Sequence, residues 1–456
     1  MKTYLEHLLE KFRTSFWFTP TVFAVAALTL AFVMVWLDSL INSQDFRLSG
    51  WLRASDADGA RQLLAVISGS MITVAGVVFS ITIVALTMAS AQLGPKLLRN
   101  YMRDRANQIV LGTFIANFVY CLIVMRYVRG DDIGKNVDAF VPYLAVTFSL
   151  LLALASLGVL IYFFHHLSST IQADNVIANI GRELNDAIDR WPDDNEEIMK
   201  SDLPMDARNW EQVRGSRGLA AVLSETTGYI QSVDYSTLVQ LAERYDICLR
   251  LKLRAGHFVI KHSKLLDYVP ATDAHEQIEH AVREAFIFGR QRSPTQDIEY
   301  MIDQINQVAL RALSPSMNDP YTALVCADWL SAAIARLAVQ EFPSPLRFDS
   351  QDRLRLIRAT LTFEGIVNTA FDELRQAARP LASVTIRLLD NIAGIMSQTL
   401  SDTRLAVLKQ QADMIERGSH GLFEELDRQD VQARYRKILE LLPEKRNRHQ
   451  PAIERG

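Results

Sequence analysis

Three groups of residues in this chain are spaced so that they could do chemistry. The first is Gly69, Thr73, Gly76, Ser80, Ile83 and Thr87, with Gly94 beyond them. At about 100° per residue they form one helical stripe about 80° wide. Small and hydroxyl-bearing side chains on an apolar helix serve either of two ends. They let helices approach closely, with hydroxyls bonding across the contact. They also line a pore, in which the branched Ile83 would be a hydrophobic constriction that gates by dewetting. Both readings stand together if the helix packs about a symmetry axis. The second group is basic: Lys96, Arg99, Arg103 and Arg105. At a pore mouth these residues would favour anions; against a bilayer they would hold anionic headgroups. The third group is Arg290, Arg292 and Asp297, followed by Ser316, Asn318 and Asp319 in the stretch Ser314–Pro320. Two prolines fix the backbone there, and Ser316, Asn318 or Asp319 can cap a helix starting near Tyr321. This group is either a rigid helix-helix corner held by an Arg–Asp pair or a pocket for a polar ligand or partner.

Other chemistry finds little support. His275 and His280 flank Glu276 and Glu279, but five residues set them about 140° apart on a helix, so they cannot share one zinc as H-E-x-x-H does. The G-x-G-x-x-G and P-loop patterns are absent, and no Ser-His-Asp or Cys-His arrangement follows from spacing. Cys121, Cys248 and Cys326 are isolated and suit small buried positions in a reducing compartment. No enzymatic activity, cofactor, metal or nucleic-acid partner is expected. The expected partners are membrane lipids, further copies of the chain, and ions.

The elements that must carry these residues divide at about residue 168. Of the 456 residues, 49% are hydrophobic and 22% charged, but long apolar runs fill the first part and most charge lies in the second. Four runs predict spanning helices: Trp17–Leu40, Leu63–Leu93, Ile109–Met125 and Val141–Phe164. Between Arg61 and Lys96 there is no charged residue. That stretch would be roughly 50 Å long as a helix, against a hydrocarbon core of ~30 Å. The first, second and fourth spans are read as free of ionisable groups, which argues against a proton-driven pump. Asn117 is the most polar residue of the third span, with an interhelical hydrogen bond as its role. Lys2, Lys11, Arg13 and the Lys96–Arg105 cluster slightly outweigh Arg47, Arg53, Arg61, Arg126, Arg129 and Lys135, favouring both termini inside.

The fold class is thus an α-helical integral membrane protein with four transmembrane helices, followed by a mostly α cytoplasmic region with a small β unit. The expected boundaries are 1–168 for the membrane domain, 169–225 for a helical and acidic linker, 226–272 for the β unit, 273–442 for helices, and 443–456 for a disordered tail. Within the linker Asp174–Arg190 reads as a helix, and Asp193, Asp194, Glu196 and Glu197 as a solvated acidic loop. Tyr229–Val233 and Ile247–Leu253 read as strands, with Ala255-Gly256 as the turn of a hairpin. Helices are expected at Asp273–Ala285, Asp297–Leu313, Tyr321–Val339, Arg353–Ala378, Leu381–Leu400, Arg404–Glu416 and Val431–Leu442.

Six stretches stand out together: Phe79-Ser80-Ile81-Thr82 through Leu98, Asp104-Arg105 with Gln108, Leu111-Gly112-Thr113-Phe114, Gly289–Arg292 with Gln296-Asp297, Ala309–Pro320, and Thr362-Phe363-Glu364 to Leu374-Arg375. In these the chain resembles a known bacterial family, the predicted membrane proteins grouped as domain of unknown function 2254. The resemblance implies a multi-pass bacterial inner-membrane protein with a cytoplasmic C-terminal region, and it implies no activity. The residues themselves favour an oligomeric channel-like pore, with a non-conducting scaffold or sensor in envelope homeostasis as the alternative.

Overall fold

The computed structural model describes residues 17–42, 56–93, 105–130, 140–170, 172–191, 210, 215, 218–422 and 424–449. Gly94, Lys96, Arg99, Arg103 and the acidic residues Asp193, Asp194, Glu196 and Glu197 lie outside the described residues, as does the side chain of Arg105. The chain forms two units, Met1–Asn175 and Val176–Gly456.

In the first unit, α1 (Phe18–Asn42), α2 (Ala57–Leu93), α3 (Arg105–Tyr127) and α4 (Tyr143–Thr170) are each long and apolar enough to cross a membrane. The third of them is central: α3 packs against α1, α2 and α4, and half of its apolar stretch is buried, against about a fifth in each of the others. That enclosure explains why the shortest span carries buried amides. Asn117 Nδ2 donates to Ser156 Oγ on α4 at 3.3 Å, and Thr19 Oγ1 on α1 donates to Gln108 Oε1 at 2.7 Å. Amides that would be costly against lipid are satisfied within the bundle. The close approach of α1 and α3 needs Gly112, where a Cβ would lie 3.2 Å from Phe23 Cγ and 3.3 Å from the Pro20 backbone.

The first span is not free of ionisable groups, contrary to expectation. Asp38 is buried near the end of α1, its Oδ1 accepting Leu144 N–H at 3.0 Å and its Oδ2 accepting Ala145 N–H at 2.9 Å. Those amides belong to the first turn of α4, which has no main-chain acceptor of its own. The carboxylate therefore caps α4 from a neighbouring helix, where the helix dipole also favours it.

The second unit opens with α5 (Ala173–Asp189), whose Ile177, Ile180, Leu184 and Ile188 are buried. Its Gly181 faces Trp329; a Cβ there would meet the indole Cε3 at 2.2 Å. The strands are β1 (Ala220–Leu223), β2 (Gly228–Val233), β3 (Cys248–Leu251), β4 (Phe258–Val259), β5 (Lys264–Val269), β6 (Phe286–Gly289), β7 (Leu346–Phe348) and β8 (Leu354–Ile357). They form a five-stranded sheet in the order β1-β5-β3-β8-β7 and a three-stranded sheet in the order β4-β2-β6. Two helices, α6 (Tyr235–Arg244) and α7 (His275–Glu284), pack on a core that includes Ile230, Leu249, Tyr268, Ile278 and Leu356.

The second unit departs from the sequence expectations in three places. β structure is not confined to 226–272, since β1, β6, β7 and β8 lie outside it. The expected hairpin about Ala255-Gly256 is a crossover: β3 pairs with β5 and β8, whereas β4 pairs with β2 in the other sheet. Arg353–Ala378 is not one helix, because Leu354–Ile357 is a strand pinned by buried Arg355, which donates to Asp349 Oδ2 and Asp246 Oδ1, both at 2.8 Å.

Helices complete the unit: α8 (Ile298–Ala312), α9 (Pro320–Val339), α10 (Phe363–Ala377), α11 (Ala382–Gln398), α12 (Asp402–Ser419) and α13 (Glu425–His449). The last runs beyond Pro443, where a disordered tail is expected; Glu444, Lys445 and Arg446 are good helix formers. The apolar α9 is a fifth helix long enough to span a membrane. It packs against α8, α10 and α11 and buries Cys326, Leu330, Ile334 and Leu337. Its last turn is held by Arg404 Nη1, which donates to the carbonyls of Leu337, Ala338 and Gln340 at 3.1, 3.1 and 2.7 Å. A cation on those carbonyls also suits the C-terminal end of the helix dipole.

Candidate functional site

The stripe on α2 points away from the rest of its unit. Ala60, Leu64, Ile67, Ala75, Val78 and Ala85 are buried on one face of α2. Gly69, Thr73, Gly76, Ser80, Ile83 and Thr87 are all exposed. A Cβ added at Gly69 or Gly76 would meet nothing within 4 Å. The helix is 37 residues, or roughly 55 Å, so it outruns a ~30 Å hydrocarbon core. Thr73 Oγ1 donates to Gly69 O at 2.8 Å, and Thr87 Oγ1 donates to Val84 O at 2.7 Å. The hydroxyl protons are thereby used within the helix, while their oxygens keep acceptor capacity on the open face.

The soluble candidates do not form one pocket. Asp297 caps the start of α8 and Asp319 the start of α9, so α8 separates the two clusters by 15 residues, or ~22 Å. At the first end, Arg292 donates to both oxygens of Asp297, at 2.7 and 2.9 Å, and to Asp303 Oδ2 at 2.6 Å. Burial alone would push the Arg292 guanidinium down; its bonds and charge pairing with Asp297 and Asp303 outweigh that and raise its pKa. Burial raises the Asp303 carboxyl, and the pairing with Arg292 only partly opposes it. Gly256, at φ +93°, lets the backbone pass against Asp297, where any Cβ would lie 2.2 Å from Oδ2. Beside it Arg254 pairs with Glu299 at 2.7 Å. The neighbouring His257 is held below its ordinary pKa, by burial first and then by Arg254. Arg290 lies outside this network and is exposed.

At the other end, Asp319 accepts Thr322 N–H at 3.2 Å and the Thr322 hydroxyl at 2.6 Å. Ser316 and Asn318 are exposed in the turn, and Asn318 takes a positive φ of 46°. Both ends thus serve as helix caps and corners. The histidines of the superficial zinc motif also diverge: His275 Nδ1 meets the Tyr268 hydroxyl at 2.6 Å, while His280 lies 3.7 Å from Glu284.

Sequence reasoning missed Asp38, whose signal was a lone carboxylate among apolar residues near a helix end. It also gives no role to Arg375 and Arg379, four residues apart ahead of Pro380.

A bundle of membrane-length helices joined to an α and β region defines a membrane protein by its sequence and fold. The chain belongs to the family described as predicted membrane protein (DUF2254), which it matches over residues 13–393. Uncharacterized proteins of Mycobacterium bovis and Mycobacterium tuberculosis are each 29% identical to it over 378 residues, covering 81% of this chain and 70% of each relative. No solved structure matches it.

Proposed function

We propose that this protein is an oligomeric, channel-like pore of the bacterial inner membrane, with α2 facing the symmetry axis and the C-terminal region acting as a cytoplasmic regulator. In this reading α1–α4 span the membrane, both termini are cytoplasmic, and α9 stays in the soluble region as the helix about which α8, α10 and α11 pack. The observation that carries the reading is the open α2 face. Lipid-facing positions normally hold large apolar side chains, as Val66, Ile72, Val77 and Val84 do here. Glycines and hydroxyls at exposed positions on the same helix suit a second helix or water instead. Ile83, 43% exposed on that stripe, would form the dewetting constriction.

A second reading has its own observation. The Thr73 and Thr87 hydroxyls already donate to carbonyls of their own helix. That favours a dry helix contact and hence a non-conducting scaffold or sensor. Replacing Gly76 with Leu tests what the two readings share. The variant should lose or distort the assembly seen by size-exclusion chromatography with light scattering. If it purifies at wild-type size with unchanged stability, the contact lies elsewhere. Reporter fusions after Pro192 and within Gly130–Ala139 test the topology, and a periplasmic signal from the first contradicts it.

A further inference from the structure

Three arginines of the second unit meet at one cavity. It measures about 640 Å³, and its lining includes Arg375, Arg379, Pro380, Arg417, Gly418 and Gly421. The walls are the ends of α10 and α12 and the turn that leads into α11. A narrow recess with Thr385 and Ile415 in its lining shares Arg375, Arg379 and Gly418 with the cavity. The volume falls in the range of small-molecule sites.

The charge around this cavity is unbalanced. The Arg375 side chain is 9% exposed, and its Nε is buried without a hydrogen-bond partner. Its Nη2 reaches Asp372 Oδ1 at a long 3.3 Å. Among the described residues no carboxylate pairs with Arg379 or Arg417. The stem of Arg379 passes Gly418, where a Cβ would lie 3.6 Å from Arg379 Cγ, and Gly421 leaves the wall beside it without a side chain. Directly after Pro380, Leu381 stands at the N-cap of α11 and provides no side-chain cap; its own N–H donates to Ala378 O at 2.9 Å, while the first helical amides, from Ala382 on, keep their donors.

Basic residues in the last turn of a helix also serve its dipole, and Arg375 and Arg417 stand in such turns. That role is fulfilled from the surface. It explains neither a buried guanidinium with an idle Nε nor Arg379, which lies past the end of α10.

We propose that this cavity binds a phosphate-bearing anion. The guanidinium fork matches phosphate oxygens two at a time, and three such groups line a space larger than one phosphate needs. The geometry therefore suits a phosphorylated small molecule. The proposal rests on the soluble unit alone and is independent of whether α2 forms a pore.

The test uses full-length protein in phosphatidylcholine nanodiscs, titrated with pyrophosphate and followed by thermal unfolding. Wild type is compared with the Arg379→Gln/Arg417→Gln double variant, both positions being exposed. A saturable rise in Tm is expected, with affinity weakened roughly tenfold for each guanidinium removed. Gly421→Leu, which fills the open wall without changing charge, should block the rise as well. A parallel sample in phosphatidylglycerol nanodiscs, without pyrophosphate, separates the sources. A rise seen there alone, and lost in the double variant, assigns the phosphate to a lipid headgroup. No rise with either phosphate source, or an equal rise in the double variant, overturns the proposal.

Discussion

Replacing Asp38 with Ala should loosen the membrane bundle more than any other single carboxylate change among the described residues of the first unit. Both carboxylate oxygens are in use, each accepting an α4 amide at 3.0 Å or less in a buried setting. A hydrogen bond to a charged acceptor contributes about 1.5–3 kcal/mol, and a buried amide left without an acceptor costs about 1–3 kcal/mol. Removing both bonds should therefore cost roughly 3–6 kcal/mol. Asp38→Asn keeps one acceptor oxygen and should lose about half as much. Ser39→Ala, at an exposed neighbour, is the control and should stay within about 0.5 kcal/mol of wild type. Reversible unfolding of purified protein in mixed detergent micelles measures all three. If Asp38→Ala is as stable as Ser39→Ala, the carboxylate does not cap α4 and the α1–α4 register described here is wrong.

Two further outcomes follow from the second unit. Gly181→Val should destabilise it by ~1–3 kcal/mol and shift the emission of Trp329, because the indole already occupies the space a Cβ needs; unchanged stability and emission would contradict that contact. His257 titrates below its ordinary value of 6.5 in the fold, so its contribution to stability is complete above that pH and is lost as pH falls through the folded pKa. Wild type should therefore lose more stability than His257→Gln between about pH 7 and pH 5 in denaturant titrations. Equal slopes would show that His257 is not desolvated.

Much of the helical architecture can be read directly from the residues. Apolar runs long enough to span need no tertiary information, and a cap ahead of Tyr321 follows from Ser316, Asn318 or Asp319, of which the fold uses Asp319; that Asp297 caps α8 is visible only in the structure. The β structure was harder to read. Leu354–Ile357 alternates too briefly to declare itself, and its partner β3 lies about a hundred residues earlier, so only the folded sheet and the Arg355–Asp349–Asp246 pairing define it. The apparent pocket around Arg292 and Ser316 failed because residues near in sequence sit at opposite ends of one helix. The arginine cavity was hidden for the opposite reason, since Arg417 comes to Arg375 through α11 and α12. Asp38 shows in the sequence as a lone carboxylate among apolar residues, but its partners are main-chain amides, which carry no signature there, so its capping role is visible only in the fold.

The most direct test of the pore reading is the conductance of purified protein in planar bilayers, wild type beside Ile83→Ser. The wild type should conduct. The variant should show a larger open fraction, because a hydroxyl in place of the branched side chain keeps the constriction wet. Silence from both proteins across ions and voltages would contradict the pore and leave the non-conducting scaffold as the function of the α2 stripe.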